Sequence, residues 1–106
     1  MNYRVVMLEL AKTSLHNAKS HITEKLRNPI AAKNVYNSVM KRIRDLKYNP
    51  YLYPIVDCEP HKGMGVRFFP VGNYIVYYKA DEALKTVFVL KIAHASQSPE
   101  HRLDGI

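Results

Sequence analysis

The stretch that decides the fold is MGVRFFPVGNYIVYY, residues 64–78, in which two apolar segments flank Gly72-Asn73. A two-residue turn of this type joins neighbouring antiparallel strands, because both residues tolerate the backbone conformation that a tight hairpin needs. The stretch therefore predicts a β-hairpin in which Arg67 lies opposite Tyr78. Arg67 is the only charged residue of the stretch, so the face of the sheet that it occupies matters for function.

Two helices are predicted before the hairpin. Apolar residues recur every three or four positions within residues 11–26 and again within residues 32–46, as on one face of a helix. Between these segments, Asn28 can cap a second helix and Pro29 fits its first turn. This helix should end before Asn49, because Pro50 disfavours helical geometry in the residue that precedes it. The two helices are expected to form an antiparallel hairpin.

The remaining segments complete the predicted fold. Residues 3–8, YRVVML, are short and apolar and predict a first strand, and a helix should follow from residue 11 to about 27. Residues 48–63 contain three prolines and neither periodicity, which predicts an extended loop. Three strands follow it, over residues 64–71, 74–79 and 84–93. The order β-α-α-β-β-β predicts one α+β domain over residues 1–106, with the helical hairpin packed on one face of a mostly antiparallel four-stranded sheet.

Composition limits the functional class. The chain has 106 residues, with 16 Lys and Arg against nine Asp and Glu, and a formal net charge of +7, which favours acidic or polyanionic partners. The single cysteine, Cys58, excludes an internal disulfide, and no apolar run is long enough to span a membrane, so a cytoplasmic protein is expected. Cys58 and His61 are too few ligands for a zinc site, and we expect neither a metal nor a cofactor.

Strand alternation sorts the predicted sheet into two faces. If residues 80–83 form a four-residue loop, Tyr78 lies opposite Lys85, and one face then meets the helices through Val66, Phe68, Ile75, Tyr77, Phe88, Leu90 and Ile92. The other face is expected to be uncovered and to carry Arg67, Phe69, Tyr74, Val76, Tyr78, Lys85, Val87, Val89 and Lys91. Such a basic and aromatic surface suits nucleic-acid contacts or the docking of a partner protein. Alternatively, Arg67 is a solvated residue whose aliphatic stem covers a neighbouring ring.

Three segments together resemble the RelE/ParE superfamily of bacterial toxins. They are NPIAAKNVYNSVMKRIRDLKYNPYLYP (residues 28–54), VRFFPVGNYIVYYKADE (residues 66–82) and VFVLKIAHASQSPEHRL (residues 87–103). The resemblance implies a toxin of a type II toxin-antitoxin system, which a protein antitoxin encoded nearby neutralises. It also implies one of two targets, because RelE-like members cut messenger RNA on the ribosome and ParE-like members poison DNA gyrase without a nuclease site.

The resemblance assigns candidate site residues for RNA cleavage. The family's basic residue on the strand before the turn falls on Arg67, and His94 can act as an acid or a base. Tyr74 and Tyr78 could stack on a base, while Lys85 and Lys91 could supply positive charge. Two cations of the RelE-like pattern are missing, because their positions fall on Tyr74 and near Ala95 or Gln97. On the second helix, Arg42 and Arg44 could contact ribosomal RNA or gyrase.

These assignments leave three functions open. The first is a ribosome-dependent mRNA endonuclease, and the second is a ParE-like gyrase inhibitor. ParE-like members commonly end the last strand in H-x-x-R-D, whereas this chain has HASQS after the strand, so that only the histidine fits. The third is a basic RNA-binding domain that is not a toxin.

Overall fold

The computed structural model describes residues 2–106, so Met1 of the expected domain lies outside the described residues. The elements follow the predicted order, with one short helix added at the end. They are β1 (Arg4–Met7), α1 (Glu9–Ser20), a π-helical segment (His21–Lys25), α2 (Pro29–Asp45), β2 (Val66–Val71), β3 (Tyr74–Asp81), β4 (Thr86–His94) and α3 (Pro99–Arg102). The predicted α+β class is confirmed.

The four strands form one sheet in the order β1-β4-β3-β2. β4 is antiparallel to β3, and β3 is antiparallel to β2, whereas β1 runs parallel to β4. The helical hairpin returns the chain to the end of the sheet where β1 begins, so β2 runs in the same direction as β1. Two antiparallel steps, from β2 to β3 and from β3 to β4, then make β4 parallel to β1. The prediction of a mostly antiparallel sheet is confirmed.

The helices form where the sequence predicts them. The Asn28 side chain accepts a hydrogen bond of 3.1 Å from the backbone N–H of Ala31, and Pro29 occupies the first turn of α2. The predicted apolar faces are buried against the sheet, and their innermost residues are Ala11, Leu15, Ala18, Ala32, Val39 and Ile43. The helical hairpin therefore forms one layer of the domain.

The hairpin register is confirmed on one side of β3 and wrong on the other. Arg67 pairs with Tyr78 across β2 and β3, as the Gly72-Asn73 turn predicts. Across β3 and β4, however, Tyr78 pairs with Val89 and not with Lys85. Two features cause the difference. First, the loop comprises residues 82–85 instead of 80–83. Second, β4 contains a bulge: Tyr77 pairs with Lys91 and Tyr78 pairs with Val89, so Leu90 has no partner in β3.

The face assignment is also wrong. The helices cover the face expected to be open, and the core that they share with it contains Phe69, Tyr74, Val76, Tyr78, Val87 and Val89. Of the residues expected to meet the helices, only Ile92 does so, because the bulge at Leu90 reverses the alternation of β4. Both faces are apolar, so the hydrophobic pattern could not distinguish them.

The opposite face is covered by the long loop and the C-terminal segment, for which no helix or strand is predicted. Leu103 of the C-terminal segment and Val56 of the long loop pack against Val66, Tyr77 and Ala93. The bulged strand fixes this segment in place, because the Lys91 Nζ donates hydrogen bonds of 3.0 Å to the carbonyl oxygens of His101 and Asp104. The sheet is therefore covered on both faces.

Candidate functional site

Arg67 lies on β2, on the face that the helices cover. Its Nη1 donates hydrogen bonds to the carbonyl oxygens of Tyr53 at 2.7 Å and Tyr51 at 3.4 Å, and its guanidinium lies 5.1 Å from the centre of the Tyr51 ring. The side chain is half-buried. Its contacts hold the long loop against the sheet, so the arginine is not the solvated residue of the alternative interpretation.

The Tyr78 side chain contacts the same loop. Its hydroxyl donates a hydrogen bond of 2.6 Å to the carbonyl oxygen of Pro50, and the side chain is completely buried. Burial raises the pKa of Tyr78 to about 12, and the nearby charge of Arg67 opposes this rise. A phenol in this position cannot stack on a substrate base, because the loop and the helices cover the ring.

Arg42 completes this group from α2. Its Nη2 donates a hydrogen bond of 3.0 Å to the hydroxyl of Tyr53, and its guanidinium lies 5.0 Å from the centre of the Phe69 ring. We call Arg42, Tyr53, Arg67 and Tyr78 the loop anchor. It brings together three of the eight predicted site residues and uses all three to fix the chain between α2 and β2.

Lys85 belongs to a separate cluster at the β3–β4 loop. It forms an ion pair with Glu82, whose other oxygen accepts hydrogen bonds from the hydroxyls of Tyr3 at 2.8 Å and Tyr51 at 2.6 Å. These donors lower the pKa of Glu82 to about 2, and Lys85 has the largest effect. The hydrogen bond from Tyr51 to Glu82 raises the pKa of Tyr51 to about 12. The cluster connects the residue before β1, the long loop and the β3–β4 loop.

His94 lies at the other end of the sheet, where β4 extends past the end of β1. A groove of about 440 Å³ opens there between α1 and β4, and we call it the His94 groove. Tyr74 forms one wall and packs edge to face on His94, with ring centres 5.1 Å apart. Burial raises the pKa of the Tyr74 phenol. Asn17 of α1 and His21 of the π-helical segment also line the groove.

His94 is held by the turn that follows β4. The backbone N–H of Ser96 donates a hydrogen bond of 3.1 Å to Nδ1 of His94. Lys91 also lines the groove, but its Nζ donates to the carbonyl oxygens of His101 and Asp104. The groove therefore offers hydrogen bonds and an aromatic wall, without a lysine aimed at His94.

The structure separates the predicted site residues into distinct groups. Arg67 lies opposite Tyr78 in the middle of β3, whereas His94 lies opposite Tyr74 at its start, four residues away along the strand. At about 3.3 Å per residue, the two backbone positions are about 13 Å apart. Arg44 is exposed on α2 and belongs to neither group.

Sequence reasoning missed Arg102 and Tyr77 on the opposite face. The Nε of Arg102 donates a hydrogen bond of 3.1 Å to the Tyr77 hydroxyl. A signal for this segment was present, because Ser98 followed by Pro99 is a typical helix start. Within residues 2–106, no group of three potential metal ligands lies together, and no helix is long and apolar enough to cross a membrane.

The fold is shared with solved toxin structures of both branches. A chain of the chromosomal ParDE toxin-antitoxin system from P. aeruginosa superposes with a TM-score of 0.70 at 15% identity, covering 89% of this chain and 97% of that one. A chain of the RelBE2 toxin-antitoxin complex from Mycobacterium tuberculosis has a TM-score of 0.67 at 19% identity, with coverages of 89% and 99%. A mutant of E. coli RelE in the free state has a TM-score of 0.64 at 15% identity, with coverages of 91% and 86%.

These superpositions establish a common fold, that of the RelE/ParE toxins. The sequence itself gives a narrower result, because the pattern of the family described as "ParE toxin of type II toxin-antitoxin system, parDE" matches residues 5–99. The chain belongs to this family of toxins. No curated protein matches the sequence.

Proposed function

We propose that this toxin acts on DNA gyrase and does not cut messenger RNA. The separation of Arg67 from His94 carries the proposal. Cleavage of RNA needs a base, an acid and a cation around one phosphate group, within hydrogen-bonding distance of the reacting atoms. The backbone positions of Arg67 and His94 are about 13 Å apart along β3, and Arg67 is held by the long loop, so both side chains would have to reorient to meet at one phosphate.

The contacts of the cations support the same proposal. Arg67 and Arg42 donate to the long loop, Lys85 pairs with Glu82, and Lys91 donates to the C-terminal segment. Each of these groups would have to leave a structural contact before it could stabilise the charge that develops on a phosphate. The match to the ParE toxin family also favours the gyrase branch.

A protein antitoxin is the second part of the proposal. An open groove of about 430 Å³, which we call the helix groove, lies between α1 and α2 and has Met7, Leu15, Tyr36 and Met40 as its apolar lining. Lys12 and Lys19 stand at its rim with His16. An apolar floor with a basic rim suits the apolar face of an acidic amphipathic helix. One of the similar structures named above, RelBE2, is a toxin-antitoxin complex.

Induction of the chain in bacteria tests the target. Plasmid topology and methionine incorporation are followed together in the first minutes, and messages are mapped by primer extension. We expect DNA breakage and loss of supercoiling before translation falls, with messages intact. A matched control is Val76→Asp, which buries a charge in the core and should remove both effects. Early cuts within translated messages would contradict the proposal.

We expect a short acidic reading frame beside the gene, and co-expression with that reading frame tests the antitoxin. We expect a stable complex and restored growth. The substitution Met40→Glu places a negative charge in the helix groove, and it should weaken the complex at least tenfold while growth arrest remains. The exposed substitution Lys41→Glu on the same helix is the control. Equal binding by wild type and Met40→Glu would exclude the helix groove as the docking site.

A further inference from the structure

The face of the sheet opposite α1 and α2 contains a second cavity of about 270 Å³. It lies between the β2–β3 hairpin, residues 55–58 and α3, and we call it the far-face cavity. Most of its wall is apolar and comes from Ile55, Val56, Phe68, Ile75 and Leu103. Arg102 and Tyr77 provide polar groups within this apolar wall. The toxin reaction proposed above uses neither of them.

Arg102 is held by three hydrogen bonds and still has donors available. Its Nε donates to the Tyr77 hydroxyl at 3.1 Å, and its Nη1 donates to the carbonyl oxygens of Ala95 at 3.1 Å and Gln97 at 2.7 Å. A guanidinium has five N–H groups, and among residues 2–106 the two on Nη2 have no acceptor. The hydroxyl of Tyr77 accepts from Arg102, so its own proton is also available.

These donors favour an anionic ligand group. Because three contacts already fix the guanidinium, a ligand would meet donors whose geometry is set before binding. Asp57 also lines the cavity, and the ammonium group of Lys62, 3.8 Å from its carboxylate, partly offsets its repulsion of an anion. The net charge of +7 adds a favourable field for an anion.

We propose that the far-face cavity binds a small organic carboxylate that carries one apolar group. The carboxylate accepts hydrogen bonds from Nη2 of Arg102 and from the Tyr77 hydroxyl. The apolar group fills the space beside Phe68, Ile75 and Leu103. The volume is just below the usual range for small-molecule sites, which limits the apolar group to about one ring or one branched chain. This inference does not depend on the proposed function.

Titration of the folded chain with 3-phenylpropanoate, followed by NMR, tests the proposal. We expect a dissociation constant of about 1 mM, with shifts centred on the Arg102 side chain and on the methyl groups of Ile75 and Leu103. The neutral amide, 3-phenylpropanamide, should bind at least tenfold more weakly, because it lacks the charge. Equal affinity of acid and amide, or shifts centred elsewhere, would overturn the proposal.

Substitutions in the far-face cavity test which residues bind the ligand. We expect Arg102→Gln to weaken binding at least tenfold and Tyr77→Phe about threefold, while Arg44→Gln, which removes an exposed arginine, leaves it unchanged. Arg102 also supports the chain after β4, so Ile75→Phe is a second test that fills the cavity without changing the guanidinium. Retained binding in Ile75→Phe would contradict the site even if Arg102→Gln failed to fold.

One further ligand distinguishes the two sources of such a carboxylate. The peptide acetyl-Gly-Gly-Phe carries the same ring next to a C-terminal carboxylate. Tighter binding of the peptide would support the proposal with a peptide C-terminus as the ligand. Tighter binding of 3-phenylpropanoate would support it with a free organic acid.

Discussion

Arg67 and Tyr78 face each other across β2 and β3, and both side chains end on backbone carbonyl groups of residues 50–53. The long loop has little regular structure of its own, so its carbonyl groups need partners from outside the segment. The two strand residues supply them. This arrangement explains why an otherwise apolar hairpin contains one arginine, because its guanidinium donates hydrogen bonds to carbonyl groups of the long loop.

Substitution of Arg67 should therefore reduce stability. Arg67→Ala removes the hydrogen bonds to the carbonyl oxygens of Tyr51 and Tyr53, and we expect the free energy of unfolding to fall by about 1–3 kcal/mol in urea denaturation. The control is Arg44→Ala, which removes an exposed arginine and should change stability by less than about 0.5 kcal/mol. An Arg67→Ala protein as stable as the control would show that the loop anchor is unnecessary.

Substitution of Tyr78 tests the same anchor from β3. Tyr78→Phe keeps the ring and removes the hydroxyl, which leaves the buried carbonyl oxygen of Pro50 without its donor. We expect a loss of about 1–3 kcal/mol in the free energy of unfolding. Tyr48→Phe changes an exposed tyrosine and should have no measurable effect. A neutral Tyr78→Phe would mean that water replaces the hydroxyl.

The pKa of Tyr78 predicts an alkaline effect. Its value is about 12 in the folded chain and 10.0 for an unperturbed tyrosine, so the unfolded chain ionises first as the pH rises. The stabilisation is complete below pH 10 and is lost as the pH rises towards 12. Unfolding measured over this range should show a smaller loss in Tyr78→Phe than in wild type. Identical slopes in the two proteins would contradict this assignment.

The Glu82 cluster predicts an effect at acid pH. Its three donors stabilise the carboxylate and lower its pKa from 4.5 to about 2, so the folded chain keeps Glu82 ionised when the unfolded chain is already protonated. The contribution is present above pH 4.5 and is lost as the pH falls towards 2. Glu82→Gln should be less stable than wild type at neutral pH, and the difference should shrink near pH 2. A difference independent of pH would contradict the prediction.

The proposed function makes a prediction for His94. If the toxin acts on gyrase, the His94 groove performs no RNA chemistry, and His94→Gln should retain growth arrest within about twofold. Growth after induction and thermal unfolding of the purified variant would be measured together. A folded His94→Gln variant without toxicity would instead favour a catalytic histidine and the nuclease alternative.

The fold could be predicted well from local signals. The Asn28-Pro29 start of α2 and the Gly72-Asn73 turn are short-range features, and both positions are as expected. The β3–β4 register depends on where the loop begins and on the bulge at Leu90, neither of which has a distinct local pattern. One error of this kind moves every residue of a strand to the other face.

The candidate site was harder to predict because it depends on that face. Phe68 and Phe69 are neighbours of equal hydrophobicity, and nothing in β2 itself states which one meets the helices. The deciding information lies in Leu103 and Val56, which cover the second face from distant parts of the chain. Because Leu103 and Val56 pack with Val66 on the second face, the neighbouring Arg67 lies on the helix-covered face, where it donates a hydrogen bond to the long loop.

The most direct test of the proposed function uses purified components. The toxin is incubated with DNA gyrase, ATP and supercoiled plasmid, and in parallel with translating ribosomes carrying a labelled message. We predict that gyrase accumulates cleaved plasmid DNA and that the message remains intact. Cleavage of the ribosome-bound message, together with unaffected gyrase, would contradict it.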